Sequence, residues 1–75
     1  MIVKKKIVTI IGLGLIGSSI LRAFSYYLKN KFYIKVHDKN SEYLKVVDSF
    51  NMADEICNSA QVSVKDADLV ILAIP

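Results

Sequence analysis

Lys6-Ile7-Val8-Thr9-Ile10-Ile11-Gly12-Leu13-Gly14-Leu15-Ile16-Gly17-Ser18-Ser19 is the stretch whose reading decides the fold. Its first half is a short apolar run rich in β-branched residues, which reads as a buried strand. The run breaks at Gly12, passes through Gly12-x-Gly14-x-x-Gly17, and resumes with helical periodicity at Ser18, Ser19 and Ile20. Strand, glycine turn and helix start, in that order, are the parts of a dinucleotide pyrophosphate site. The chain has three glycines, and all of them fall in this window, so they mark one turn. Each serves a separate purpose. Gly12 permits the tight turn, Gly14 lets backbone approach the pyrophosphate closely, and Gly17 lets the helix pack closely on the strand. The first turn of the helix then offers unpaired N–H groups and the positive end of its dipole to phosphate.

The rest of the chain bounds this reading. Seventy-five residues form one small unit, and a domain of that size buries only about 60% of its unfolded surface. Apolar residues make up 53% and charged residues 23%, a globular composition that argues against disorder. The net charge of +3 owes much to Lys4-Lys5-Lys6, a solvated lead-in to the first strand. No basic stripe continues from it and no aromatics are interleaved with it, so a nucleic-acid partner is not expected. The single cysteine, Cys57, excludes an intrachain disulfide and fits a reducing compartment, with the thiol in a packing role. The N-terminal apolar run is too short to span a bilayer and is cut by glycines, serines and Arg22. A cytoplasmic protein without a membrane or metal partner is expected.

Taken in order, Lys6–Ile11 is the first strand, apolar on both faces as in a central parallel strand. A helix over about Leu15–Leu28 follows, with Ile16, Ile20, Phe24, Tyr27 and Leu28 toward the sheet. Ser18, Arg22, Ser25 and Lys29 form a solvent stripe, from which Ser18 or Ser19 is able to reach a phosphate. Asn30 suits a left-handed helix end. Phe32–His37 is the second strand. Asn40 or Ser41 caps a second helix reaching about Phe50, with Tyr43, Leu44, Val47 and Phe50 on its apolar face and Asn51 left-handed after it. Ala53–Cys57 is a short third strand, Asn58–Lys65 a connection with a helical turn, and Leu69–Ile74 a fourth, apolar strand. Right-handed crossovers then give an α/β fold with a parallel sheet in the order 3-2-1-4, part of a Rossmann (βαβ) nucleotide-binding domain spanning 1–75.

Asp38 closes the second strand about twenty residues beyond Gly17, where an acidic side chain accepts hydrogen bonds from the adenosine ribose. A carboxylate there repels a 2′-phosphate, which favours NAD over NADP. Lys39 beside it is a cation that tolerates a phosphate, so NADP is not excluded. His37, the lone histidine, sits at a strand end and is assigned no catalytic role.

Two segments narrow the class. Gly12-Leu13-Gly14-Leu15-Ile16-Gly17-Ser18-Ser19, its spacing to His37-Asp38 and to Met52-Ala53-Asp54-Glu55-Ile56, and the ending Asp66-Ala67-Asp68-Leu69-Val70-Ile71-Leu72-Ala73-Ile74-Pro75 resemble the prephenate and arogenate dehydrogenases. The resemblance covers essentially the whole chain. It implies cofactor binding by Gly12, Gly14, Leu15, Ile16 and Gly17 in the phosphate loop, by Asp38 at the ribose, and by Ala73, Ile74 and Pro75 in the turn after the fourth strand. It also implies oxidative decarboxylation of prephenate or arogenate in tyrosine biosynthesis, carried out by a longer, homodimeric enzyme. The family's catalytic histidine and helical dimerisation domain lie beyond these residues. No catalytic residue is therefore assigned here, and the 75 residues alone are expected to be inactive. Asn51 stands where relatives often have glycine, and His37 where tyrosine is common. Other readings stay open: a β-hydroxyacid dehydrogenase or pyrroline-carboxylate reductase, a non-catalytic NAD-sensing module, or a flavin site, which more often has glutamate at the ribose position.

An apolar fourth strand at the margin of the sheet invites pairing with another chain. The 75-residue chain is expected to self-associate or to be marginally soluble, and a monodisperse monomer by light scattering at high concentration would count against this.

Overall fold

The structure is a computed structural model that describes residues 4–74. It alternates strand and helix: β1 (Lys6–Ile11), α1 (Leu15–Tyr27), β2 (Phe32–His37), α2 (Ser41–Ser49), β3 (Glu55–Ile56), α3 (Ala60–Val64) and β4 (Leu69–Leu72). The four strands make one sheet in the order β3-β2-β1-β4, with every neighbouring pair parallel. This is the α/β arrangement and strand order expected from the sequence. β1 is central, in register with β2 from Lys6↔Phe32 to Ile11↔His37 and with β4 from Val8↔Leu69 to Ile11↔Leu72.

The two faces of β1 are covered differently. Val8 and Ile10 point into the apolar core with Leu21 of α1, Val47 of α2, and Ile34 and Val36 of β2, all buried. Phe24 and Phe32 meet edge to face at its margin, ring centroids 5.2 Å apart. Thr9, between Val8 and Ile10, faces the other way and is fully buried. Its hydroxyl donates to the Ser63 carbonyl oxygen, and the Ser63 hydroxyl donates to the Ala60 carbonyl oxygen at 2.7 Å. α3 is thereby pinned to the second face.

Two aspartates set the strand register. The Asp54 carboxylate accepts from the Ile34 amide at 2.7 Å, while the Asp54 amide donates to the Ile34 carbonyl at 2.8 Å. Asp68 treats Ile7 in the same way, at 2.6 and 2.8 Å. Each aspartate stands just before its strand, and a one-residue slip would break both of its bonds.

The structure corrects several expectations. The sheet-facing side of α1 centres on Gly17 and Leu21, with Ile20, Phe24 and Leu28 half-buried; Ile16 and Tyr27 are exposed. The helix is rotated because Gly17, lacking a side chain, seats on the turn. On α2, Val47 is buried, whereas Tyr43 and Phe50 are exposed. α1 ends at Tyr27 with Leu28 as its cap. Asn30 is not left-handed; Asn51 is, at φ 55°, as expected, and Asp66 joins it at φ 62°. β3 is two residues long and β4 ends at Leu72, both shorter than anticipated. Leu69, Val70 and Leu72 are exposed at the sheet margin.

A Cβ on Gly17 would overlap the Gly12 carbonyl oxygen and lie 3.3 Å from the Ala73 side chain. Relief requires backbone movement, and overpacking of this kind costs about 1–3 kcal/mol. Gly17→Ala is expected to lower the melting temperature by roughly 10 °C in a domain this small, measured by thermal denaturation; an unchanged melting temperature would show that α1 does not depend on this seat.

Candidate nucleotide-binding site

At the C-terminal end of the sheet, the chain leaves β1 through Gly12 and enters α1 at Gly14. Gly12 has φ +99°, a backbone conformation open to glycine and strained for other residues. Its Cα also sits under the end of β4: a Cβ there would be 2.7 Å from the Ala73 carbonyl oxygen. The Gly12 amide donates to the His37 carbonyl at 2.9 Å, and the Ala73 amide to the Ile11 carbonyl at 2.8 Å. Sheet hydrogen bonding thus runs on into the turn from both sides.

Gly14 differs from the other two glycines. It is the N-cap of α1 at φ −68°, so its backbone does not demand glycine, and among the described residues no atom beyond its chain neighbours lies within 4 Å of the position a Cβ would take. The missing side chain leaves open space in front of the helix start. α1 also lacks a side-chain cap, whereas Asn40 caps α2 through the Glu42 and Tyr43 amides and Ser59 caps α3 through the Val62 amide. The hydroxyls of Ser18 and Ser19 donate back to the Leu15 carbonyl, at 3.2 and 3.0 Å. An open approach and free first-turn amides suit an anion. The residues present therefore fit a nucleotide pyrophosphate.

Asp38 stands across the turn at the end of β2. Its Oδ2 accepts from the Leu13 amide at 2.6 Å, and its Oδ1 from the Asn40 amide at 2.7 Å. The second bond is an Asx turn, for which Asp-Lys-Asn is a local signal. The first spans 25 residues and has no local signal. A depression of about 210 Å³ runs beside the carboxylate, lined by Gly12, His37, Asp38, Lys39, Ala60 and Ile74 among others. Gly12, Asp38 and Ile74, assigned from distant parts of the chain, are brought together there, and Ala73 packs on Gly12 and Gly17. Leu15 and Ile16 lie in the exposed first turn of α1. Pro75 lies outside the described residues. Arg22 is exposed and, with Ser18, lines a separate apolar groove between α1 and α2.

His37 is half-buried, and its Nδ1 donates to the Cys57 carbonyl at 2.8 Å, a tautomer assigned from the acceptor it faces. Beyond it the Glu55 carboxylate accepts from the Tyr33 hydroxyl at 3.0 Å and from the Cys57 thiol at 3.5 Å. The hydrogen bond to Glu55, and then burial, hold the Tyr33 hydroxyl above the usual phenol range. Burial, and then the bond to Glu55, push the Cys57 thiol up as well. Among the described residues no helix is long and apolar enough to cross a membrane.

No family model matches the chain. It is 37% identical over 70 residues to the cyclohexadienyl dehydrogenase of Zymomonas mobilis subsp. mobilis, a match covering 93% of this chain and 24% of the relative. The chain thus spans about a quarter of the length of the curated relative that it matches.

The raised thiol carries a sign. The folded state holds the Cys57 proton to higher pH than the unfolded chain, so this contribution to stability is complete below the unfolded value, about 8.5, and is lost as pH rises through the folded one. Chemical denaturation across the alkaline range is expected to show a steeper loss in the wild type than in Cys57→Ala. Equal slopes would remove the thiol as the cause.

Proposed function

We propose that, over the residues that match, this chain belongs to the prephenate/arogenate dehydrogenase family and forms the NAD-binding front of such an enzyme. The observation that carries the reading is Gly14. Neither its backbone angles nor its neighbours require glycine, and the space it leaves open faces the uncapped start of α1. A pyrophosphate seated there accepts the first-turn amides and meets the positive end of the helix dipole.

Asp38 lies on the adenosine side of that seat. Its carboxylate has about four lone-pair positions, and two are taken by Leu13 and Asn40. The others are available to ribose hydroxyls. Its charge opposes a 2′-phosphate, which favours NAD over NADP. Ile74 lines the same depression, and Ala73 packs on Gly12 and Gly17. NAD, when bound, supplies the hydride acceptor. The relative's name supports a cyclohexadienol substrate, so the whole protein is proposed to oxidise and decarboxylate prephenate or arogenate as a cytoplasmic homodimer. The 75 residues supply cofactor binding and no group for the substrate.

Calorimetric titration of the whole protein with NAD and with NADP tests this reading. NAD is expected to bind more tightly. Asp38→Ala is expected to weaken NAD by about tenfold, the loss of one to two hydrogen bonds to a charged acceptor, and to narrow the preference over NADP. Tighter NADP binding would overturn the role of Asp38, and binding of neither would overturn the cofactor reading.

A further inference from the structure

We propose that Asp38 is also a positioning residue: its carboxylate latches the glycine turn through the Leu13 amide, so one side chain both selects the ribose and sets the shape of the pyrophosphate turn. Two consecutive amides tie the turn to β2. Gly12 donates to the His37 carbonyl at 2.9 Å and Leu13 donates to Asp38 Oδ2 at 2.6 Å. The first is main chain to main chain and does not depend on the side chain at position 38. The second depends on the Asp38 side chain alone. Leu13 is 4% exposed, with its side chain in the core, so its amide has little access to water as a substitute partner.

The carboxylate is itself held in place. Its other oxygen accepts from the Asn40 amide at 2.7 Å, which fixes the side chain against the start of α2. Both bonds have the short length of amides donating to a charged acceptor. The turn is therefore braced before any nucleotide arrives. Removing the carboxylate frees the turn and, as a separate effect, removes the charge that opposes a 2′-phosphate. The consequences for nucleotide affinity rest on the cofactor reading above, whereas the brace itself does not.

The two effects separate in a pair of substitutions. Asp38→Asn keeps a carbonyl oxygen for the Leu13 amide and loses the charge, whereas Asp38→Ala loses both. Amide hydrogen exchange in the nucleotide-free whole protein reads the latch directly. In the wild type the Leu13 amide is expected to exchange at least about tenfold more slowly than the Leu15 amide in the exposed first turn of α1. Asp38→Ala is expected to speed Leu13 exchange by about tenfold and Asp38→Asn by much less, since tenfold corresponds to one such hydrogen bond. NADP is expected to bind Asp38→Asn more tightly than Asp38→Ala, a rescue that loss of charge alone does not give.

Equal Leu13 exchange in the wild type and Asp38→Ala would overturn the latch, even with NAD binding weakened. Should Asp38→Ala fail to fold, Leu13 exchange in the wild type as fast as that of the Leu15 amide would overturn it. Failure of the wild type to bind either nucleotide would remove the cofactor reading and leave the exchange result standing.

Discussion

Close approach of the α1 start to the Gly12 turn is the constraint on which the rest depends. Gly17 has no Cβ, so the helix rests against the Gly12 carbonyl; Gly12 has none, so the turn lies against the Ala73 carbonyl at the end of β4. Three parts of the chain converge where no side chain intervenes. That convergence sets the rotation of α1, which buries Leu21 and leaves Ile16 and Tyr27 in solvent. The ends of β2 and β4 flank that turn on either side of β1, and the depression at Asp38 is lined from both.

Aspartates accepting backbone amides recur through the molecule. Asp54 and Asp68 each stand just before a strand and hold the register of that strand against β2 or β1. Asp38 follows β2 and reaches the turn instead. An amide near the end of a parallel strand lacks a ladder partner on one side, and a short carboxylate supplies one without adding a residue. In a chain that can bury only a modest core, such fixed polar points at the strand ends complement the apolar contacts of Val8, Ile10, Ile34 and Val36.

The second sheet face has a different character. Thr9 and Ser63 are fully buried and pair with carbonyl oxygens, and Glu55 joins Tyr33 to Cys57. Every buried side-chain nitrogen and oxygen among the described residues finds a partner. The thiol is closed in and held protonated, which suits packing and opposes reactivity. α3 is a short cover there, whereas α1 and α2 form the apolar layer opposite.

Local chemistry wrote most of the fold into the sequence. A β-branched run at Ile7–Ile11 and the aromatic and β-branched residues of Phe32–Val36 formed strands at the expected places, and the glycines, Asn40 and Asn51 marked turns and caps by their own conformational preferences. The parallel order followed because right-handed crossovers leave little choice. The sequence by itself also determined that a strand, a glycine turn and a helix start stand together, with an acidic residue at the end of the next strand. Tertiary structure alone decided which side of α1 faces the sheet, because several apolar residues compete and only the Gly17 seat selects among them. It alone decided the partners of Asp38, Asp54, Asp68 and Glu55, since those bonds join residues far apart in the chain or on neighbouring strands. A carboxylate announces its charge in the sequence, but the amide it accepts from is chosen by the fold that brings the two within reach.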